Sequence, residues 1–176
     1  MGEVMNALND QHDTALLSRL GSASRATAED YLKAAHLTLE ALAARPGLLD
    51  GIALQRNPGG YARNLVYGDD DISVWAMVWD VGARTSIHDH HCSCCFAVLK
   101  GTVEESRFSA IDATRAVLKS TVMRGPGYVA CMLPTGPNLH QMANAGTQEA
   151  ISLHVYGFDH RQHANSIDRE YALAAL

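Results

Sequence analysis

The sequence predicts an all-β fold, a barrel or sandwich of the jelly-roll type, with helices from the N-terminal part packed outside it. Three observations predict it. After Pro58-Gly59-Gly60 the chain becomes a series of short β-type runs separated by Gly, Asp, Pro and Asn turn signals. Before that point apolar residues recur at helical spacing instead. The whole has 176 residues, 47% hydrophobic and 19% charged, which suits one globular domain with a sizeable core. The expected division is a helical part over about 1–57, a barrel over about 58–159 and a surface segment over about 160–176.

The clearest helix runs from Ala28 to Ala44, where Tyr31, Ala34, Ala35, Leu39, Leu42 and Ala43 make one apolar face. Thr27 is its expected N-cap, with Asp30 completing a capping box. Glu29 and Asp30 put negative charge in the first turn, and Arg45-Pro46-Gly47 stops the helix. A shorter helix is expected over Asp13–Leu20. The expected strands are Tyr61–Tyr67, Ile72–Trp79, Ser86–His90, Cys94–Lys100, Thr102–Phe108, Ala116–Met123, Tyr128–Leu133, His140–Asn144 and Ala150–Tyr156. His160 to Leu176 is expected to cover an outer surface, with His160 and His163 in solvent.

Composition narrows the partners. Net charge is −5, from 14 Lys+Arg against 19 Asp+Glu, and no basic stripe appears, which argues against nucleic acid. No apolar run reaches membrane-spanning length, and Met1-Gly-Glu-Val-Met-Asn6 lacks the basic and apolar regions of a signal peptide. A cytoplasmic protein with no membrane partner is expected. Cys92, Cys94 and Cys95 crowd into four positions, poor geometry for a disulfide framework, and Cys131 alone does not complete a zinc knuckle. Cys92 and Cys131 are expected to be small buried hydrophobes.

The chemistry is concentrated in histidines. On a strand, positions i and i+2 share a face, so His88 and His90 project to the same side. With a third imidazole from a distant strand, His140, they can hold a divalent metal by one face and leave the other open.

Gly82, five residues, His88-x-His90, three residues, Cys94, six residues and Gly101 resemble the first cupin motif, with Cys94 in place of the usual glutamate. Pro134-x-Gly136, His140 and Asn144 resemble the second motif in looser form. Further matches lie in Tyr61-Ala-Arg63-Asn64-Leu-Val66, Trp79, Ser86-Ile-His88-Asp-His90, Ser93-x-Cys95-Phe96 and Ser152-Leu-His154-Val-Tyr156. Together these resemble the thiol dioxygenase family of the cupin superfamily, and cysteine dioxygenase type I most of all.

The resemblance implies a cupin barrel holding Fe(II) on His88, His90 and His140, with a small thiol and O₂ as partners. It implies that Arg63 clamps a substrate carboxylate, with Tyr61 adding a hydroxyl. It makes Ser152, His154 and Tyr156 an outer hydrogen-bonding set. Some family members join a cysteine to that tyrosine by a thioether. Spacing back from Gly101 selects Cys94, whereas the Ser93-x-Cys-Phe96 match selects Cys95. A one-residue difference reverses the face, and the glycine-anchored register favours Cys94. Gly157-Phe158 stands where many cysteine dioxygenases have Ser-Pro, and His91-Cys92 also departs from the mammalian type. The expected reaction is oxidation of L-cysteine to its sulfinate, with 3-mercaptopropionate or mercaptosuccinate as alternative substrates. The rival readings are a zinc or manganese cupin isomerase and a non-catalytic ligand-binding cupin.

Overall fold

The computed structural model describes residues 4–23, 27–134 and 138–174. A short strand β1 (Met5–Asn6) is followed by two helices, α1 (Gln11–Ala23) and α2 (Ala28–Ala43), which precede the β-rich part. Strands β2 (Tyr61–Gly68), β3 (Ser73–Trp79), β4 (Ile87–His90), β5 (Cys94–Lys100) and β6 (Val103–Ala110) follow. Then come β7 (Arg115–Arg124), β8 (Val129–Met132), β9 (His140–Ala143), β10 (Ala150–Tyr156) and β11 (Ile167–Leu173). One sheet has the order β1-β2-β3-β10-β5-β8, and β11-β4-β9-β6-β7 closes on itself through a parallel β11–β7 pair. This is the expected cupin jelly-roll barrel with helices outside.

The six-stranded sheet explains why its strands read as nearly continuous apolar runs: both faces are covered. Outward, Val74, Ala76, Cys95, Ala97, Leu153 and Val155 pack against Leu17, Leu20, Leu39 and Leu42 of the helices. Each of those leucines is fully buried, worth about 1.5–3 kcal/mol apiece. Inward, residues opposite one another in the ladders share a face. Arg63 faces Met77, which faces Ser152; Trp75 faces His154; and Tyr156 faces Cys94. Gly101 turns β5 into β6 at φ 70°, where a Cβ would meet Glu149 O at 2.8 Å, so glycine alone fits.

Several expectations are corrected. Cys95 and Cys131 lie directly opposite on β5 and β8 and form a disulfide, so Cys131 is not simply a small packed hydrophobe. The crowding of the other cysteines hid a partner 36 residues away. The C-terminal stretch is largely exposed, as an outer surface should be, but Ile167–Leu173 within it is a strand of the second sheet that the sequence reading did not name. His160 is half-buried, its side chain beside Asp159, while His163 is exposed. At α2 the Thr27 hydroxyl accepts from Asp30 N–H and donates to the Asp30 carboxylate, so the return bond of a capping box is replaced by a side-chain pair. Gly136 lies outside the described residues.

Candidate metal centre

Strand β4 carries His88 and His90 on the barrel's inner face, and its partner β9 brings His140 directly opposite His88. All three are buried, and their ligand-type atoms lie within 4.8 Å of one another. Ring centroids are 4.8–5.0 Å apart, each pair edge-on, so the rings surround a point without stacking over it. Burial lowers the His88 pKa to about 4 and that of His90 to about 2, helped by the neighbouring histidines. Both are therefore neutral imidazoles at neutral pH, the form that donates a lone pair.

The nitrogens fit a cation. His88 Nδ1 lies 2.9 Å from the Ser86 carbonyl, an acceptor only, so Nδ1 carries the proton and Nε2 keeps its lone pair. His90 Nδ1 and His140 Nδ1 are buried with no hydrogen-bond partner among the described residues. Unpartnered buried nitrogens are costly in a folded protein unless a ligand engages the ring. Close by, Glu105 of β6 is buried with Oε1 3.9 Å from His140 Nδ1. Burial would raise its pKa, but His140, Arg107 and Arg124 hold it down to about 2. The carboxylate receives Arg107 Nη2 at 2.7 Å and Arg124 Nη2 at 3.0 Å.

Glu105 escaped the sequence reading. The signal was present, because Val103, Glu105 and Arg107 alternate onto one face, but that pattern also fits an exposed ion pair.

The opposite wall is a hydrogen-bonded chain. Trp79 Nε1 donates to Ser152 Oγ at 2.8 Å, Ser152 Oγ lies 2.8 Å from His154 Nε2, and His154 Nδ1 lies 3.3 Å from Tyr156 Oη. An indole N–H only donates, so Ser152 accepts there and turns its own hydrogen to His154 Nε2. Nδ1–H then points to Tyr156 Oη, so the phenol hydrogen is directed away from His154. Burial lowers the His154 pKa to about 3 and raises that of Tyr156 well above its usual value. The Tyr156 ring stands 6.2 Å from His90, so this wall reaches the histidine cluster.

Arg63 lies on β2, half-buried, with its guanidinium 4.4 Å above the Trp75 ring. Nη1 donates to Ala164 O at 2.9 Å, and Nη2 is buried without a hydrogen-bond partner among the described residues. Tyr61 packs 5.0 Å from Trp79 and lines the same groove as Arg63. Cys94 is buried and unpaired, in one cluster with Tyr156, and burial raises its thiol pKa. Asn144 instead ties a turn together, donating to Trp79 O and Gln148 O.

Comparison with known proteins agrees with this geometry. Human cysteine dioxygenase type 1 is 34% identical over 101 residues, covering 54% of this chain and 50% of its own length. The rat protein of the same description is 31% identical over 100 residues, with the same coverage. The chain thus matches about half the length of these curated relatives. A solved cupin superfamily protein from Desulfitobacterium hafniense is 15% identical, covering 66% of this chain and 93% of its own, with a TM-score of 0.49. A family model described as cysteine dioxygenase type I matches residues 53–166, a stretch holding all three histidines, Arg63 and the Ser152–Tyr156 strand. The chain belongs to the cysteine dioxygenase type I family.

Proposed function

We propose that this chain is a thiol dioxygenase, adding both atoms of O₂ to a small carboxylated thiol so that R–SH becomes R–SO₂H. The observation carrying this reading is the convergence of three buried histidines opposite the Ser152–His154–Tyr156 wall. His88, His90 and His140 would hold Fe(II), and the three neutral donors leave its charge uncompensated. When bound, ferrous iron supplies the redox chemistry by which a thiolate and dioxygen react, with open positions for both.

The chain's own side chains do the rest. Arg63 orients the substrate: its unpartnered Nη2 is a donor waiting for a carboxylate oxygen, and the Trp75 face and Ala164 carbonyl hold the guanidinium in place. Tyr61 adds a hydroxyl at the same groove. Ser152 and His154 aim Tyr156, whose raised pKa keeps it a proton donor toward the reacting atoms. Cys94, opposite Tyr156, is the partner for a thioether bond to that ring. L-cysteine is the substrate the family likeness favours, with 3-mercaptopropionate and mercaptosuccinate as competitors, and a cytoplasmic setting suits such small metabolites.

Oxygen uptake by the iron-loaded protein with each thiol tests the reading, and Arg63→Ala sharpens it. A charge-assisted bidentate contact in a desolvated site is worth roughly 2–3 kcal/mol. Arg63→Ala should therefore cost about 30- to 150-fold in kcat/KM for a carboxylated thiol. Cysteamine, which has no carboxylate, should lose little. Absence of thiol-dependent oxygen uptake would favour a zinc or manganese isomerase or a ligand-binding protein, and equal losses for cysteine and cysteamine would make Arg63 structural.

A further inference from the structure

The groove that Arg63 lines holds a second guanidinium. Gly59, Gly60, Tyr61, Gly82 and Arg84 line it with Arg63, and no carboxylate does. That is unusual for this chain, where acidic residues outnumber basic ones. Elsewhere most described arginines sit on carboxylates: Arg45 on Asp13, Arg56 on Glu149, Arg107 and Arg124 on Glu105, Arg115 on Asp112. Arg84 is exposed and makes no ion pair among the described residues, and Arg63 spends one nitrogen on a backbone carbonyl and keeps the other free.

The groove is also kept open. A Cβ on Gly59 or Gly82 would meet nothing within 4 Å, so both positions border empty space. Both have positive φ, 74° and 79°, which disfavours any side chain that would fill it. Arg84 is tied to the metal-bearing strands, bridging to Ala143 three residues beyond His140 and preceding β4. Two guanidiniums lining one groove with no carboxylate in its lining make that groove favourable to an anion.

Resting on the thiol dioxygenase reading, we infer that the site takes a thiol bearing two carboxylates in preference to its monocarboxylate counterpart, the inner carboxylate held by Arg63 and the outer one by Arg84. Arg84 is then the specificity-determining residue that separates dianionic from monoanionic thiols. Because it is exposed, its contact is a screened surface pairing, weaker than that of Arg63 and sensitive to salt.

The test measures kcat/KM by oxygen uptake for mercaptosuccinate and 3-mercaptopropionate, which differ by one carboxylate. Wild-type protein should prefer the dicarboxylate. Arg84→Ala should lower the ratio of the two kcat/KM values about 5-fold at low salt, with a smaller change at high salt. An unchanged ratio, or a wild-type preference for 3-mercaptopropionate, would overturn the assignment. A second arm needs no turnover: calorimetry of succinate and propionate binding to the same proteins. Arg84→Ala should weaken succinate relative to propionate, and equal effects on both would sink the proposal. If no thiol supports oxygen uptake but succinate binding still depends on Arg84, the dioxygenase reading fails while the two-arginine anion site stands.

Discussion

The two walls of the barrel interior treat their polar groups in opposite ways. On the six-stranded sheet, Trp79, Ser152, His154 and Tyr156 satisfy one another in a chain. On the facing sheet, His90 and His140 present buried Nδ1 atoms with no hydrogen-bond partner among the described residues, although Glu105 lies near the second. An unmade buried hydrogen bond costs about 1–3 kcal/mol, so a wall that leaves two open relies on something else to engage those rings. The satisfied wall is built to orient; the unsatisfied wall is built to bind.

Removing a ligand breaks that contrast most severely. His88→Ala, His90→Ala and His140→Ala should each lower bound iron to a small fraction of one per chain, read by elemental analysis, and lose thiol-dependent oxygen uptake by about 1000-fold or more. Among the described residues the ring Nδ1 atoms make no hydrogen bond beyond the His88–Ser86 contact, so the variants should remain folded by circular dichroism. Full iron content in all three variants would mean that the metal sits elsewhere.

Sequence patterning revealed one wall's histidines and part of the other's network, for different reasons. His88 and His90 were legible because a two-residue period on a strand fixes their common face before any fold is known. Ser152, His154 and Tyr156 were legible as a face, but the chain's start at Trp79 depends on β3 and β10 pairing in one register, which no local pattern shows. Glu105 was hidden because a carboxylate beside two arginines looks the same in sequence whether buried or solvated. Strand β11 was hidden because Ile-Asp-Arg-Glu-Tyr-Ala-Leu is mostly exposed and lacks a period-2 apolar signal. It is nonetheless anchored, since Asp89, between the two β4 histidines, accepts from Arg169 N–H and Tyr171 O–H.

Acidity should act on both walls at once. His88, His90 and His154 have native pKa values below 6.5, at about 4, 2 and 3, because burial disfavours the imidazolium. The unfolded chain takes up these protons near 6.5 and the native chain does not, so stability rises with pH up to about 6.5 and is flat above it. Below that, the three together should withdraw about 4 kcal/mol per pH unit until the native groups begin to titrate. Denaturant unfolding of metal-free protein at pH 7.5, 6.5 and 5.5 checks this. Replacing His154 with Gln should reduce the slope below pH 6.5 by about a third. An unchanged slope would mean that His154 is protonated in the native state and that the Ser152 hydrogen points elsewhere.

The smallest expected effect concerns β5, where the inward and outward faces carry adjacent cysteines with different fates. Cys94 points inward, opposite Tyr156, whereas Cys95 points toward the helices and is bonded to Cys131. The alternation of a strand forbids both from reaching Tyr156, so one register decides both pairings. Peptide mapping of unreduced protein should recover Cys95 with Cys131. Protein that has turned over substrate should also yield a reduction-resistant branched peptide joining Cys94 to Tyr156. Cys94→Ala should abolish the branch and cost less than about 10-fold in kcat/KM, because Ser152 and His154 still aim the phenol without it. A branch through Cys95 would shift the register of β5 by one residue. That shift would turn Phe96, which stacks 5.5 Å from His154, out of the interior, and the oriented wall would lose its packing.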